Sequence, residues 1–327
     1  MFDFKHDKMD TESEAYFADG TFDLSDTTRL SLGLRRTTDE FTSKQDNFIS
    51  ILIPTPVIAA QTCDREVVTE YSSTTSRAVL QHDLSSTSNV YASLSEGYKA
   101  GGYATYECTE PYDPEEVTSL EFGYKGSLSE NTSLNASLFR YDYTDFQVLQ
   151  VVGIQTVTRN AGDATVNGLE IEAISNVNDS LSVNYGLTLL DATYGEFLNT
   201  NGIQPELGEQ QLNGNYLTNA PKVSINVGLN YTSALSSGAS LTYRANAAYK
   251  SRIYFSEFNE YSQDAYTILD LNLIWESADE TMRSRFFIKN ATDEDYISGY
   301  LSSATGGGRF GQWGYPRTAG IELQRNF

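Results

Sequence analysis

The sequence predicts an all-β protein, an antiparallel transmembrane β-barrel with about thirteen strands present. Three observations carry that reading. Apolar and polar residues alternate with a period of two along most of the chain, and no stretch has a convincing helical period. Short polar turns alternate strictly with long loops, as they do in bacterial outer-membrane barrels. The last strand carries Tyr315, Arg317, Ala319, Ile321, Leu323, Arg325 and Phe327 on one face and stops on an aromatic. A bare final strand is an aggregation hazard in a soluble sheet, whereas in a barrel it pairs with the first strand.

Composition agrees. The chain has 327 residues, 39% of them hydrophobic, and no run approaches the ~18 apolar residues of a membrane helix. A barrel strand needs no such run, because only half its residues face lipid. The 22 Tyr and 16 Phe suit strands and interfacial aromatic girdles. A net charge of -22 argues against a nucleic-acid partner, since phosphate binding needs basic surface. Cys63 and Cys108 are the only cysteines, too few for a disulfide framework or a metal cluster. The first ten residues lack an apolar core and a cleavage site, so a chain without signal peptide, mature or a fragment, is expected.

The elements follow in order. Strands at 14–24 and 28–40 are joined by Ser25, Asp26 and Thr27, and Leu30, Leu32 and Leu34 share a face. An irregular segment over 41–69 leads to a hairpin of 70–84 and 88–100. A second irregular segment, 101–114, precedes a strand at 115–128. A long strand, 131–151, is expected to turn at Gly153-Ile154 and pair with 156–175. Strand 180–196 places Leu181, Val183, Tyr185, Leu187 and Leu189 on one face. A polar segment, 198–218, separates it from the hairpin 221–250, where Val223, Ile225, Val227 and Leu229 share a face against Ser224, Asn226, Gly228 and Asn230. Strands at 264–277 and 281–295 and a glycine-rich loop, 298–313, complete the chain before its last strand.

The polar faces decide between barrel and sandwich. They hold mostly Ser, Thr, Asn and Gly, as in a water-filled or plugged lumen, whereas an exposed sandwich face would be dominated by charge. Arg244 or Lys250 facing lipid would cost about 2–4 kcal/mol at the midplane, so the apolar face is the expected lipid face. Leu187, Val223, Ile225, Val227 and Leu229 are its expected representatives.

Five stretches resemble the TonB-dependent outer-membrane receptor family, in the family's order. They are Ser95-Glu96-Gly97-Tyr98-Lys99-Ala100-Gly101-Gly102-Tyr103; Pro114-Glu115 with Leu120 to Lys125; Asn160-Ala161-Gly162 with Gly168-Leu169-Glu170; Asn290-Ala291-Thr292-Asp293 through Tyr296; and Pro316-Arg317-Thr318 before Phe327. The resemblance implies the C-terminal part of a 22-stranded barrel around a plug, with roughly nine strands, the plug and a signal peptide absent from residues 1–327. It implies energy-coupled uptake of a scarce nutrient, such as a ferric siderophore, with the TonB complex acting through the missing plug. Outer-membrane lipid, the barrel-assembly machinery and a small nutrient ligand are the implied partners. No enzymatic activity and no cofactor are expected, and a fragment is not expected to transport alone. A passive porin-like or structural barrel is the alternative, and a soluble carbohydrate-binding sandwich the third.

Site expectations are modest. Tyr103, Tyr106 and Tyr112 are candidate ligand contacts on an outer loop, by stacking. A terminal aromatic resembles the barrel-assembly signal, which makes Phe327 the expected assembly residue. Cys63 and Cys108 fall in neighbouring outer loops of an oxidising compartment and are a candidate disulfide. Acidic loop groups at Asp113, Glu115 and Glu116 and at Asp293, Glu294 and Asp295 have the oxygen ligands a divalent cation needs, though acidic surface explains them. His6 and His82 lack a second strong ligand nearby, and Gly306 to Gly311 matches a dinucleotide pattern without the strand and helix that pattern requires.

Overall fold

A computed structural model describes residues 8–47, 63–103, 111–152, 155–201, 204–303 and 308–326. It contains β1 (Lys8–Ser25), β2 (Thr28–Asn47), β3 (Cys63–Ser85), β4 (Ser88–Lys99), β5 (Glu115–Ser129), β6 (Thr132–Thr144), β7 (Gln147–Val152), β8 (Gln155–Asn160), β9 (Ala164–Asn178), β10 (Leu181–Tyr194) and β11 (Leu198–Thr200). After a 3-10 turn at Pro205–Leu207 come β12 (Glu209–Gln211), β13 (Val223–Ala234), β14 (Ser240–Lys250), β15 (Ile253–Tyr254), β16 (Ser262–Gln263), β17 (Tyr266–Glu276), β18 (Met282–Lys289), β19 (Ile297–Ser303), β20 (Gly308–Trp313) and β21 (Thr318–Arg325). Thirteen of them form one antiparallel sheet, β1-β2-β3-β4-β5-β6-β9-β10-β13-β14-β17-β18-β21. The other eight make four separate two-stranded hairpins, each inside a long connection.

All six short connections lie at one end of this sheet. Polar side chains hold them: the Asn178 Oδ1 accepts from the amides of Ser180 and Leu181 at 2.9 and 3.0 Å. In the turn after β17, Asp279 accepts from Ser277 Oγ at 2.6 Å and from both the amide and the hydroxyl of Thr281. Those donors stabilise the ionised form and keep the Asp279 carboxyl below the ordinary carboxylate range.

Register places the expected apolar residues in unbroken rows. Leu187 lies opposite Ile225, and Val223 opposite Leu189. Val227 and Leu229 lie opposite Ala247 and Ala245, and Ala245 lies opposite Leu271. On the other face, Asn226, Asn230, Arg244 and Asn272 form the corresponding polar rows, with Arg244 Nε donating to Asn230 at 2.9 Å. A slip of one residue would exchange the two faces, so this agreement fixes the register.

Several strands differ from the sequence reading. The first three run to 18, 20 and 23 residues, longer than the 14–24, 28–40 and 70–84 expected. Their outer halves lack apolar alternation, carrying Lys8, Asp10, Glu12 and Glu14 on β1, but unbroken pairing from Thr28↔His82 to Asn47↔Cys63 sustains them. The expected single strand at 131–151 is interrupted. Its β6 part ends at Thr144, and Asp145 adopts a left-handed backbone (φ 51°), which frees β7 to pair with β8 as a separate hairpin. Strand 281–295 ends early for the same reason, because Asn290 (φ 48°) and Asp293 (φ 58°) turn the chain after Lys289. The glycine-rich 298–313 segment contains the β19–β20 hairpin.

Candidate functional site

The long connections gather at the end of the sheet opposite the short turns, and their side chains build three connected structures. The first surrounds the expected tyrosines. Tyr103 is buried, with its hydroxyl against Thr69, and Tyr112 is half-buried. Gly102 and Tyr112 exchange both backbone hydrogen bonds, at 3.0 and 2.8 Å, and Tyr71 donates to the Tyr112 carbonyl at 3.0 Å. Tyr103 and Tyr112 therefore brace a loop base around Gly101, where an added Cβ would stand 2.2 Å from the Tyr112 carbonyl.

The second structure is a small apolar core: Ala161, Tyr194, Phe197 and Leu212, with Phe146 and Phe258 packed on it. It joins three loops, and two glutamates hold its edge. Asn199 donates to Glu257 Oε1 at 3.0 Å, and Asn201 donates to Glu260 Oε2 at 3.1 Å. Burial pushes the Glu257 carboxyl above the ordinary glutamate range, against the Asn199 hydrogen bond that favours the charged form. Sequence reading missed this core because Leu212 sits in a segment, 198–218, whose average character is polar, and it meets Ala161, Tyr194 and Phe197 only in three dimensions.

The third structure explains several of the recognisable motifs. Asn160 donates to the carbonyls of Asp113 and Asp145 at 2.9 and 2.8 Å and accepts from the Asp113 amide. Glu115 accepts from the Gln147 amide at 2.7 Å. At Gly162 an added Cβ would stand 1.4 Å from the Glu196 carbonyl oxygen, so no side chain fits. Asn290, 3% exposed, donates to the carbonyls of Glu294 and Tyr315, and Asp293 accepts from the Arg317 amide and guanidinium. These motif residues join loops to strand ends.

Glu115, Glu116 and Asp293 spend their carboxylates on Gln147, Ser73 and Arg317. Among the described residues no group of three or more His, Cys, Asp or Glu is placed to hold a metal ion. The His82 ring shares a hydrogen bond with Thr28 Oγ1 at 2.9 Å. The Gly308-to-Gly311 part of the dinucleotide-like pattern lies in strand β20, with β21 and no helix after it. Tyr106, Cys108 and Phe327 lie outside the described residues, and of Cys63 only the backbone, at the start of β3, is described.

An open cleft of about 390 Å³ lies on the polar face where β14 and β17 meet the loops. Lys250 and Tyr266, cross-strand partners, form part of it, with Phe255 and Tyr296 beside them and Asn219 and Ser298 at polar corners. Tyr266 and Tyr296 are stacked at 4.8 Å, and Phe255 stacks on Tyr300 at 5.9 Å.

Residues 3–291 match the family model for the barrel of TonB-dependent receptors, described as TonB dependent receptor-like, beta-barrel. The chain belongs to that family. The receptor resembles the ferric yersiniabactin uptake receptor FyuA of Yersinia pestis with a TM-score of 0.81 and 19% identity, over 98% of this chain and 46% of FyuA. The siderophore receptor PiuA of Acinetobacter baumannii gives 0.74 and 19%, over 96% and 42%. The copper transporter OprC gives 0.69 and 15%, over 97% and 48%. The receptor chain thus spans less than half the length of these structures. Its fold is theirs, a barrel of the bacterial outer membrane.

Proposed function

We propose that this chain forms the C-terminal barrel portion of a receptor for energy-coupled uptake of a scarce nutrient across the outer membrane. The observation that carries the reading is the match of residues 3–291 to the family's barrel, supported by a joined loop assembly at one end of the sheet. The apolar rows at Leu187, Val223, Ile225, Val227 and Leu229 meet lipid, and the polar rows line the lumen. A plug contributed by other parts of the receptor fills that lumen and receives the pull of TonB. The nutrient is a small chelate of the ferric-siderophore kind, which the FyuA and PiuA likenesses favour.

The barrel wall needs no covalent chemistry in this scheme. It binds, orients and excludes water, and the energy comes from the inner membrane. The test is uptake of labelled ferric chelates by cells making the full-length receptor, with TonB present and deleted. Accumulation of at least one chelate that depends on both receptor and TonB is expected. Entry of small solutes of unrelated chemistry at equal rates without TonB would show a passive pore instead.

A further inference from the structure

The cleft on the polar face has a charge character opposite to that of the chain. The sequence holds 44 acidic and 22 basic side chains, yet the cleft is lined by one cation, Lys250, and by no carboxylate. Neighbouring cations are committed elsewhere. Lys222 donates to the Tyr216 hydroxyl at 2.5 Å and sits 4.1 Å from that ring. Arg252 pairs with Asp264 at 2.8 Å, and Arg309 lies 4.0 Å over the Tyr261 ring. The Lys250 side chain makes no ion pair or hydrogen bond among the described residues, although it projects from a strand whose partner places Tyr266 directly opposite.

The walls add a second requirement. The Tyr266–Tyr296 stack, tilted by only 13°, and Phe255 offer flat apolar surface beside the ammonium. Gly314 leaves room for the Tyr296 ring: an added Cβ there would stand 2.1 Å from that ring. The volume is near the lower end of the roughly 300–1,000 Å³ typical of ligand pockets, enough for one arm of a larger molecule. Lys250 is exposed, so its pull on an anion is screened by water and needs the ring surface of the same cleft beside it; stacked rings favour another ring.

We propose that this cleft is a subsite for an anionic aryl group, an aromatic carboxylate or phenolate, with Lys250 pairing with the charge while Phe255, Tyr266 and Tyr296 hold the ring. It rests on the reading of the chain as an uptake receptor and names the chemistry of one arm of the cargo. Asn219 and Ser298 supply polar edges for substituents on that ring.

The test uses the full-length receptor in detergent, with 2-naphthoate as fluorescent probe and 2-naphthylmethanol as its neutral counterpart. Lys250→Gln is expected to weaken naphthoate binding about tenfold or more while changing the neutral probe by less than about twofold. Lys250→Arg should restore most naphthoate affinity, and Phe255→Ala should weaken both probes. Naphthoate binding that is absent, or unchanged by Lys250→Gln, overturns the subsite. TonB-dependent uptake measured on the same variants separates the two readings. If uptake is present while naphthoate ignores Lys250→Gln, transport stands and the subsite fails. If naphthoate behaves as expected and no chelate is taken up, the subsite stands and transport fails.

Discussion

The tip of the Phe139 ring occupies the space above Gly168, its partner across the β6–β9 pair: a Cβ at Gly168 would stand 2.2 Å from it. Phe139 is 7% exposed and stacked on Tyr141 at 4.8 Å, so the ring has no room to swing aside. Tyr91 lies over Gly123, and Phe287 over Gly320, in the same cross-strand relation. Gly168→Ala should therefore destabilise the barrel by about 1–3 kcal/mol through overpacking. Thermal unfolding in detergent of Gly168→Ala, Phe139→Ala and the double variant checks it. The double variant should lose clearly less than the two single losses combined, and strict additivity would show that the ring and the glycine do not compete.

The face assignment predicts a sharp contrast. Leu187→Arg and Val227→Arg should abolish or strongly reduce assembled receptor, because a lipid-facing arginine costs about 2–4 kcal/mol near the midplane. Asn184→Arg and Asn226→Arg, on the opposite face of the same strands, should assemble at near-normal levels. Surface abundance of the four variants decides it, and equal loss in both pairs would refute the face assignment.

Glu257 predicts a pH dependence. Burial raises its carboxyl above the ordinary 4.5, so the packed loops take up a proton more readily than opened loops do. Packing should be firmest below 4.5 and weaken as pH rises through the raised value. Hydrogen exchange at the Leu212 and Gly214 amides, bonded to the Phe197 and Tyr194 carbonyls, reads this directly after correction for intrinsic rates. Protection should fall as pH rises above 4.5 through the raised value, and Glu257→Gln should flatten the profile. A profile that Glu257→Gln leaves intact would assign the effect to another group.

Glu12, Glu40 and Glu70 lie directly opposite one another across β1, β2 and β3. Like charges so placed repel. Glu40→Lys should put a cation between two carboxylates and slow cleavage of these outer strands by protease at low salt. The gain should shrink at high salt, since exposed pairs are screened. Faster cleavage would mean that the row is held by something other than its own charges.

How far the sequence reveals this molecule depends on what shaped each residue. The sheet was legible because lipid and lumen impose opposite demands at alternate positions, so Leu187, Val223, Ile225, Val227 and Leu229 fall on one face from sequence alone. The loops were not, because single residues decide them. Asp145, with its positive φ, cuts one apparent strand in two, and nothing in the alternation around it marks the break. Tyr103 was readable as an aromatic on an outer loop but not as a buried brace, since Thr69 meets it only in three dimensions. Asn160 and Asn290 stood out as motif residues, and their several hydrogen bonds give the physical reason.

The unequal strand lengths give the mouth an uneven skyline. The 23 residues of β3 trace roughly 75 Å, or roughly 50 Å of height once tilted, about twice the apolar band of an outer membrane. The eight residues of β21 trace roughly 26 Å and, with the same tilt, fall short of that band. The strand wall of this chain is therefore lopsided, high along β1, β2 and β3 and low along β21, and the Lys250 cleft on β14 and β17 lies toward the low side.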